Sequence, residues 1–172
     1  RRGEPVVLVV TKGFRDALAI AYQNRPDIFA LDIRKPAPLE TMIVEADERI
    51  GADGGVLRPL DEGALRRELT AARQQGIGAV AVCLVHGYRW TAHEERIAAI
   101  AAELGFRQVS VSHETAAVIK FVSRAQTTLV DAYLSPVLYR YVERLGRALE
   151  SVAAPQRLQM MQSSGGLIEA AR

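Results

Sequence analysis

The sequence predicts an α/β protein in which a mixed, mainly parallel sheet is flanked by helices. Two observations carry that prediction. Val6, Val7, Leu8, Val9 and Val10 form an unbroken apolar run. It meets the polar turn Thr11-Lys12-Gly13-Phe14-Arg15-Asp16 and then the apolar-periodic Leu18, Ile20 and Ala21, which describes a buried strand feeding a helix. Strand-like segments at 79–85 and 108–111 are joined by one helical segment within about thirty residues, the size of a βαβ unit with a parallel connection.

The remaining elements follow in order. Residues 22–38 carry Asn24, the prolines Pro26, Pro36 and Pro38, and no sustained periodicity, so they read as a long ordered loop. Residues 41–50 alternate in part, and Ala52-Asp53-Gly54-Gly55 ahead of Val56-Leu57 predicts a hairpin. Asp61 is placed to cap a helix over 62–75, with Leu65, Leu69 and Ala72 on one stripe and Gly76 as its stop. Thr91-Ala92-His93-Glu94 has capping-box spacing before the periodic Ile97, Ile100, Ala101 and Leu104, and Gly105 ends that helix. A helical region then runs from about 114 through 154, interrupted near Ser135-Pro136. The last strand candidate, 158–161, is closed by Gln162-Ser163-Ser164-Gly165-Gly166.

With 172 residues, 49% hydrophobic and 24% charged, the composition is that of a globular chain able to bury roughly 70% of the surface its unfolded form exposes. A net charge of +2 is too small to argue for nucleic acid or an anionic membrane as partner. The single cysteine, Cys83, lies inside an apolar run, which rules out an intrachain disulfide and suits a reducing compartment. No apolar segment approaches 18 residues, and Arg1-Arg2-Gly3-Glu4-Pro5 lacks the apolar region of a signal peptide. The expected location is cytoplasmic.

Four polar clusters each begin where an apolar strand ends: Thr11-Lys12-Gly13-Phe14-Arg15, His86-Gly87-Tyr88-Arg89, Ser112-His113-Glu114 and Gln162-Ser163-Ser164-Gly165-Gly166. Parallel strands would bring all four to one rim, where open α/β sheets hold their ligands. Lys12 and Arg15 are candidates to position an anionic group, and His86, Tyr88 and His113 to line the same rim as substrate-binding residues. Ser163, Gly165 and Gly166 could hold phosphate through backbone N–H groups. Each has a plainer reading. Lys12-Gly13 also reads as a turn with a solvated lysine, His86, Tyr88 and His113 as hydrogen-bonded packing residues, and His93 as a solvated first-turn helix residue. His86, His93 and Cys83 lack the paired spacings of a zinc site, so no metal is expected on them. Arg140, Arg144 and Arg147 at helical spacing read as a solvated face. Walker-type phosphate loops and Gly-x-Ser-x-Gly elbows are absent.

The chain resembles the hydantoinase A and 5-oxoprolinase family. The resemblance runs through Thr11-Lys12-Gly13-Phe14-Arg15-Asp16, Gln23-Asn24-Arg25-Pro26, Pro59-Leu60-Asp61-Glu62, Ala92-His93-Glu94, Ser112-His113-Glu114, Thr127-Thr128, Ala132-Tyr133-Leu134 and Met161-Gln162-Ser163. It implies part of an actin- and sugar-kinase-like (ribonuclease H-like) fold. The implied activity is ATP-driven opening of a cyclic amide such as 5-oxoproline or a hydantoin, in which the carbonyl is phosphorylated and the activated ring hydrolysed. It further implies ATP and Mg2+ as cofactors of the intact enzyme and a hydantoinase B-type subunit or domain as partner. The family pattern has Ser at 87, Asn-Pro at 90 and 91, Asn at 131 and Asn at 164. This chain has Gly87, Trp90-Thr91, Asp131 and Ser164.

Members of the family also carry an upstream Asp-x-Gly-Gly-Thr phosphate loop and a second phosphate motif far downstream, and neither occurs here. The expectation is an internal fragment, inactive alone. Residues 1–124 would belong to the N-terminal region without its first strands, and 125–172 to the truncated start of the catalytic core. A sheet edge left by the missing strands would favour a homo-oligomer. Two other readings share this architecture: a non-catalytic small-molecule-binding or assembly domain, and a subunit of a related ATP-dependent ketone carboxylase.

Overall fold

The computed structural model describes residues 3–22, 29, 31–32, 36–150, 159–161, 163 and 165–169, with Glu150 described by its backbone alone. The chain begins with β1 (Val6–Thr11), α1 (Ala17–Ile20), β2 (Met42–Ala46), β3 (Arg49–Ile50), β4 (Val56–Arg58) and α2 (Glu62–Gln74). It continues with β5 (Ala79–Cys83), α3 (Ala92–Glu103), β6 (Gln108–Val111), α4 (Ser112–Thr115), α5 (Phe121–Glu150), β7 (Gln159–Met161) and β8 (Leu167–Glu169).

β2, β1, β5 and β6 form one four-stranded sheet in that order, and every pairing is parallel. The two central strands, β1 and β5, are buried at every residue because helices cover both faces. On one face Val7, Val9, Val80 and Val82 pack with Leu65 and Leu69 of α2 and Ile97 and Ile100 of α3. On the other, Val6, Leu8, Val10, Ala79 and Ala81 pack with Leu129 and Ala132 of α5. The period of two thus splits one apolar run between two cores.

Two short ribbons stand outside this sheet. β3 and β4 form the antiparallel hairpin predicted around 52–55, and Gly54 holds φ at +91° in its turn. β7 pairs antiparallel with β8 in a separate two-stranded sheet.

Helix α2 starts as predicted, with the Ala64 amide donating to Asp61 Oδ1 at 2.9 Å. Helix α3 has the expected span, but its capping box does not form: the Thr91 side chain makes no cap bond, and Glu94 turns into the protein. The helical region expected from 114 to 154 divides elsewhere than predicted. Helix α5 runs unbroken through Pro136, and the break falls at 116–120. One proline removes one backbone bond from a 30-residue helix whose first half is packed against β5 and β6. At the break the Val118 carbonyl instead accepts from Arg124 NH1 at 2.9 Å. The described part of 22–38 carries no helix or strand; residues 23–28, 30 and 33–35 of that loop lie outside the described residues, as does the rest of the region beyond 150 up to 158. The boundary expected at 124/125 falls inside α5.

From β1 the chain passes to β2 on one side, and from β5 it passes to β6 on the other. The strand order therefore reverses between β1 and β5, the position where a crevice opens beyond the carboxyl ends of an α/β sheet.

Candidate functional site

The carboxyl rim of the parallel sheet gathers residues 11–15, 45–49, 84–90 and 112–115. Three of the four predicted clusters meet there. The fourth does not: Ser163, Gly165 and Gly166 belong to the turn of the separate β7–β8 hairpin, and Gln162 and Ser164 lie outside the described residues. Antiparallel pairing with β8 withdraws β7 from the sheet whose rim it was expected to share.

Another cluster, Asp47-Glu48-Arg49, takes its place. Reading 41–50 as a continuous alternating segment hid it, because β2 ends at Ala46 and the chain turns at the rim before β3 begins. Two carboxylates and an arginine at the end of a parallel strand were the available signal.

On the β1–β2 half the charges are exposed and paired. Lys12 Nζ lies 3.0 Å from Asp47 Oδ2, and Arg58 NH1 lies 2.6 Å from Asp47 Oδ1. Arg58 first and Lys12 second hold the Asp47 carboxyl below its ordinary value. Arg15 lies 3.4 Å from Glu45 and also donates to the Ile43 carbonyl at 3.2 Å. The Gly13 amide donates to Glu45 Oε1 at 2.7 Å, and this bond, followed by Arg15, lowers the Glu45 carboxyl.

Toward β5 and β6 the polar groups are buried. Thr11 Oγ1 accepts from the Val85 amide at 3.1 Å and donates to Glu48 Oε1, so one hydroxyl ties the ends of β1 and β5 together. Glu48 Oε2 lies 2.7 Å from His93 Nδ1. His93 is therefore not the solvated residue expected: its side chain is only 14% exposed and faces a buried carboxylate across the rim.

Glu94, fully buried, is the hub of this half. Its Oε1 accepts from the Leu84 amide at 2.8 Å and Ser112 Oγ at 2.6 Å; its Oε2 lies 3.2 Å from the His113 amide and 2.8 Å from His113 Nδ1. These donors at the ends of two strands would otherwise be buried without partners, which explains why Glu94 abandons the cap. A Cβ at Gly87 would stand 2.1 Å from Glu94 Oε1, so glycine at this position admits the carboxylate.

His86 and Tyr88 sit side by side with ring centroids 6.3 Å apart. Beneath them Arg124, fully buried, stacks on Tyr88 at 5.3 Å and donates through NH2 to the Leu84 and Val85 carbonyls. Its Nε has no hydrogen-bond partner among the described residues. Burial pushes the neighbouring Cys83 thiol up to about 11, so it stays protonated and unreactive at neutral pH. Glu48, Glu94 and Arg124 all escaped sequence reading, because a charged residue signals burial only through partners distant in the chain.

A cavity of about 270 Å³ opens on the β1–β2 half, lined by Lys12, Asp47, Glu48, Arg49, Leu57 and Arg58. Of the predicted substrate-binding residues only Lys12 lines it; Arg15, His86, Tyr88 and His113 lie elsewhere on the rim. No three His, Cys, Asp or Glu side chains among the described residues are grouped to hold a metal ion. Among those residues no helix is long and apolar enough to cross a membrane.

Fold and rim together define an α/β protein with polar groups gathered at the carboxyl ends of a parallel sheet and a cavity on the β1–β2 half of that rim. Residues 1–105 match the hydantoinase/oxoprolinase N-terminal region, and 124–172 match the hydantoinase/oxoprolinase model that follows it. The chain belongs to the hydantoinase/oxoprolinase family. It is 36% identical to 5-oxoprolinase of Saccharomyces cerevisiae over 98% of its own length and 15% of that protein. It is 35% identical to the caprolactamase subunit alpha of Pseudomonas jessenii, covering 97% of this chain and 25% of that subunit. The crystal structure of ATP-dependent caprolactamase from Pseudomonas jessenii superposes with a TM-score of 0.85 at 34% identity, over 98% of this chain and 25% of the other. Nucleotide-free acetone carboxylase shares the fold, with a TM-score of 0.80 at 20% identity over 99% of this chain and 26% of that one. This chain thus spans between about a seventh and a quarter of the length of these relatives.

Proposed function

We propose that this chain forms the substrate-side rim of an ATP-dependent enzyme that opens cyclic amides. The observation that carries the reading is the match over 98% of the chain to an ATP-dependent caprolactamase, with a polar rim at the reversal point of its sheet. An amide is a poor electrophile. Transfer of the γ-phosphoryl group of ATP to the amide oxygen, with ADP leaving, makes the carbonyl carbon electrophilic. Water adds there, the C–N bond breaks with the nitrogen leaving as the protonated amine, and the acyl phosphate left behind is hydrolysed to carboxylate and inorganic phosphate. In this reading 1–124 belongs to the N-terminal region and 125–172 to the start of the catalytic core.

Lys12, Arg15, His86, Tyr88 and His113 contribute to positioning the amide, with Thr11, Glu48 and Glu94 as the hydrogen-bonded frame behind them. ATP and Mg2+ serve the intact enzyme in this reading, and Ser163, Gly165 and Gly166, in the turn between β7 and β8, are this chain's phosphate-binding residues. The naming of the caprolactamase relative as a subunit supports a partner, for which a B-type hydantoinase subunit is our assignment. A homo-oligomer and a cytoplasmic location remain part of the proposal, the latter supported by a lone buried thiol.

The test is ATP consumption by the intact protein with its B-type partner, offered 5-oxoproline, hydantoins, caprolactam and acetone in turn. ADP release matched by ring opening is expected. Carboxylation of the ketone would move the protein to the carboxylase branch, and no turnover with any of them would leave a binding or assembly module. Residues 1–172 alone should show no ATPase activity.

A further inference from the structure

The cavity over β1 and β2 carries more positive charge than its own carboxylates satisfy. Arg49 and Arg58 are directly opposed in the β3–β4 ladder, and both line the cavity. Cross-strand partners point to the same face, and like charges so placed repel. Lys12 is a third cation in the wall. Against these stand two carboxylates, and both are committed: Asp47 is shared between Lys12 and Arg58, and Glu48 bonds Thr11 and His93.

Arg49 is the cation left over. Among the described residues no carboxylate lies within ion-pair distance of its guanidinium, whose aromatic contact is the Phe14 ring at 5.3 Å. That stacking covers a flat face and leaves the N–H edge for an acceptor. Leu57, an exposed side chain, adds an apolar wall. At about 270 Å³ the cavity falls just short of the roughly 300 Å³ at which pockets for drug-sized ligands begin, which suits a small ring.

We propose that this cavity is an anion subsite in which Arg49 takes the carboxylate of a small acidic cyclic amide, with Leu57 against the ring. The inference rests on the ring-opening function above and narrows its substrate class: lactams bearing a carboxylate, as 5-oxoproline does, over neutral ones such as caprolactam. Lys12 and Arg58 stay on Asp47 and shape the rim of the subsite.

Calorimetric binding to the intact protein tests the subsite without requiring turnover. The ligands are 5-oxoproline, 2-pyrrolidinone, which is the same ring without its carboxylate, and inorganic phosphate. Wild type should bind 5-oxoproline at least about tenfold more tightly than 2-pyrrolidinone, as one charge-assisted contact allows. Arg49→Gln should lose about 10–100-fold for 5-oxoproline and leave 2-pyrrolidinone unchanged, with Arg49→Lys recovering part of the loss. Equal affinity of the two lactams, an equal loss for both in Arg49→Gln, or tighter binding of phosphate than of 5-oxoproline would overturn the subsite. A melting temperature matching wild type shows that Arg49→Gln is folded; if it falls, the wild-type comparison of the two lactams and phosphate decides. Selective binding without ATP-dependent ring opening would count against the function and not against the subsite.

Discussion

The two halves of the carboxyl rim are built from the same residue types and solve opposite problems. Over β5 and β6, Glu94, Ser112, His113 and Arg124 hold strand ends together through buried hydrogen bonds. Over β1 and β2, Lys12 and Arg58 pair with Asp47 and Arg15 pairs with Glu45 in contact with water, where screening and side-chain entropy leave an ion pair little net stabilisation. Buried polar groups must be satisfied internally and so make a scaffold; exposed pairs exchange partners at little cost and so can meet a ligand. The cavity lies in the second half.

Breaking the buried half should have the largest effect. Glu94→Ala strands the Leu84 and His113 amides and Ser112 Oγ, and should lower stability by about 3–5 kcal/mol, read as a shift in urea midpoint at constant m. Glu94→Gln keeps one acceptor oxygen and should lose less. A loss below about 1 kcal/mol for Glu94→Ala would show that the hub is not what joins β5 to α4.

Gly87→Ala tests the same contact from the other side. Its Cβ would meet Glu94 Oε1, so a loss of about 1–3 kcal/mol is expected, together with displacement of the His113 ring resonances in NMR spectra. Unchanged resonances would mean that the loop, not the carboxylate, gives way.

The exposed half should respond least. Because Asp47 titrates below its ordinary value of 3.8 when folded, its pairing stabilises the protein above that pH, and this contribution is lost as pH falls through the depressed value. Asp47→Asn should flatten this acid limb slightly in melts taken from pH 5 down to 3, with the melting temperature at pH 7 close to that of wild type. A larger loss at neutral pH would place Asp47 with the scaffold.

Much of the fold was legible because its signals are local. Asp61 and Gly76 bound α2, the apolar runs mark β1 and β5, and Gly54 marks the hairpin turn. What escaped depends on contacts distant in the chain. Capping-box spacing at Thr91 and Glu94 describes a local option, and the donors at Leu84 and Ser112 outcompete it. Pro136 is a local breaker that removes one backbone bond, and it is tolerated in a helix anchored by the packing of its first half against β5 and β6. His93 looked solvated because its partner, Glu48, lies 45 residues away.

The sequence by itself determined the element types, the parallel character of the sheet and the presence of Lys12, His86 and His113 at strand ends, since periodicity and turn chemistry act over a few residues. Only the tertiary structure decided which strand ends share a rim. Strand order brought Asp47, Glu48 and Arg49 in, separate pairing took Ser163, Gly165 and Gly166 out, and burial divided the remaining charges between scaffold and cavity.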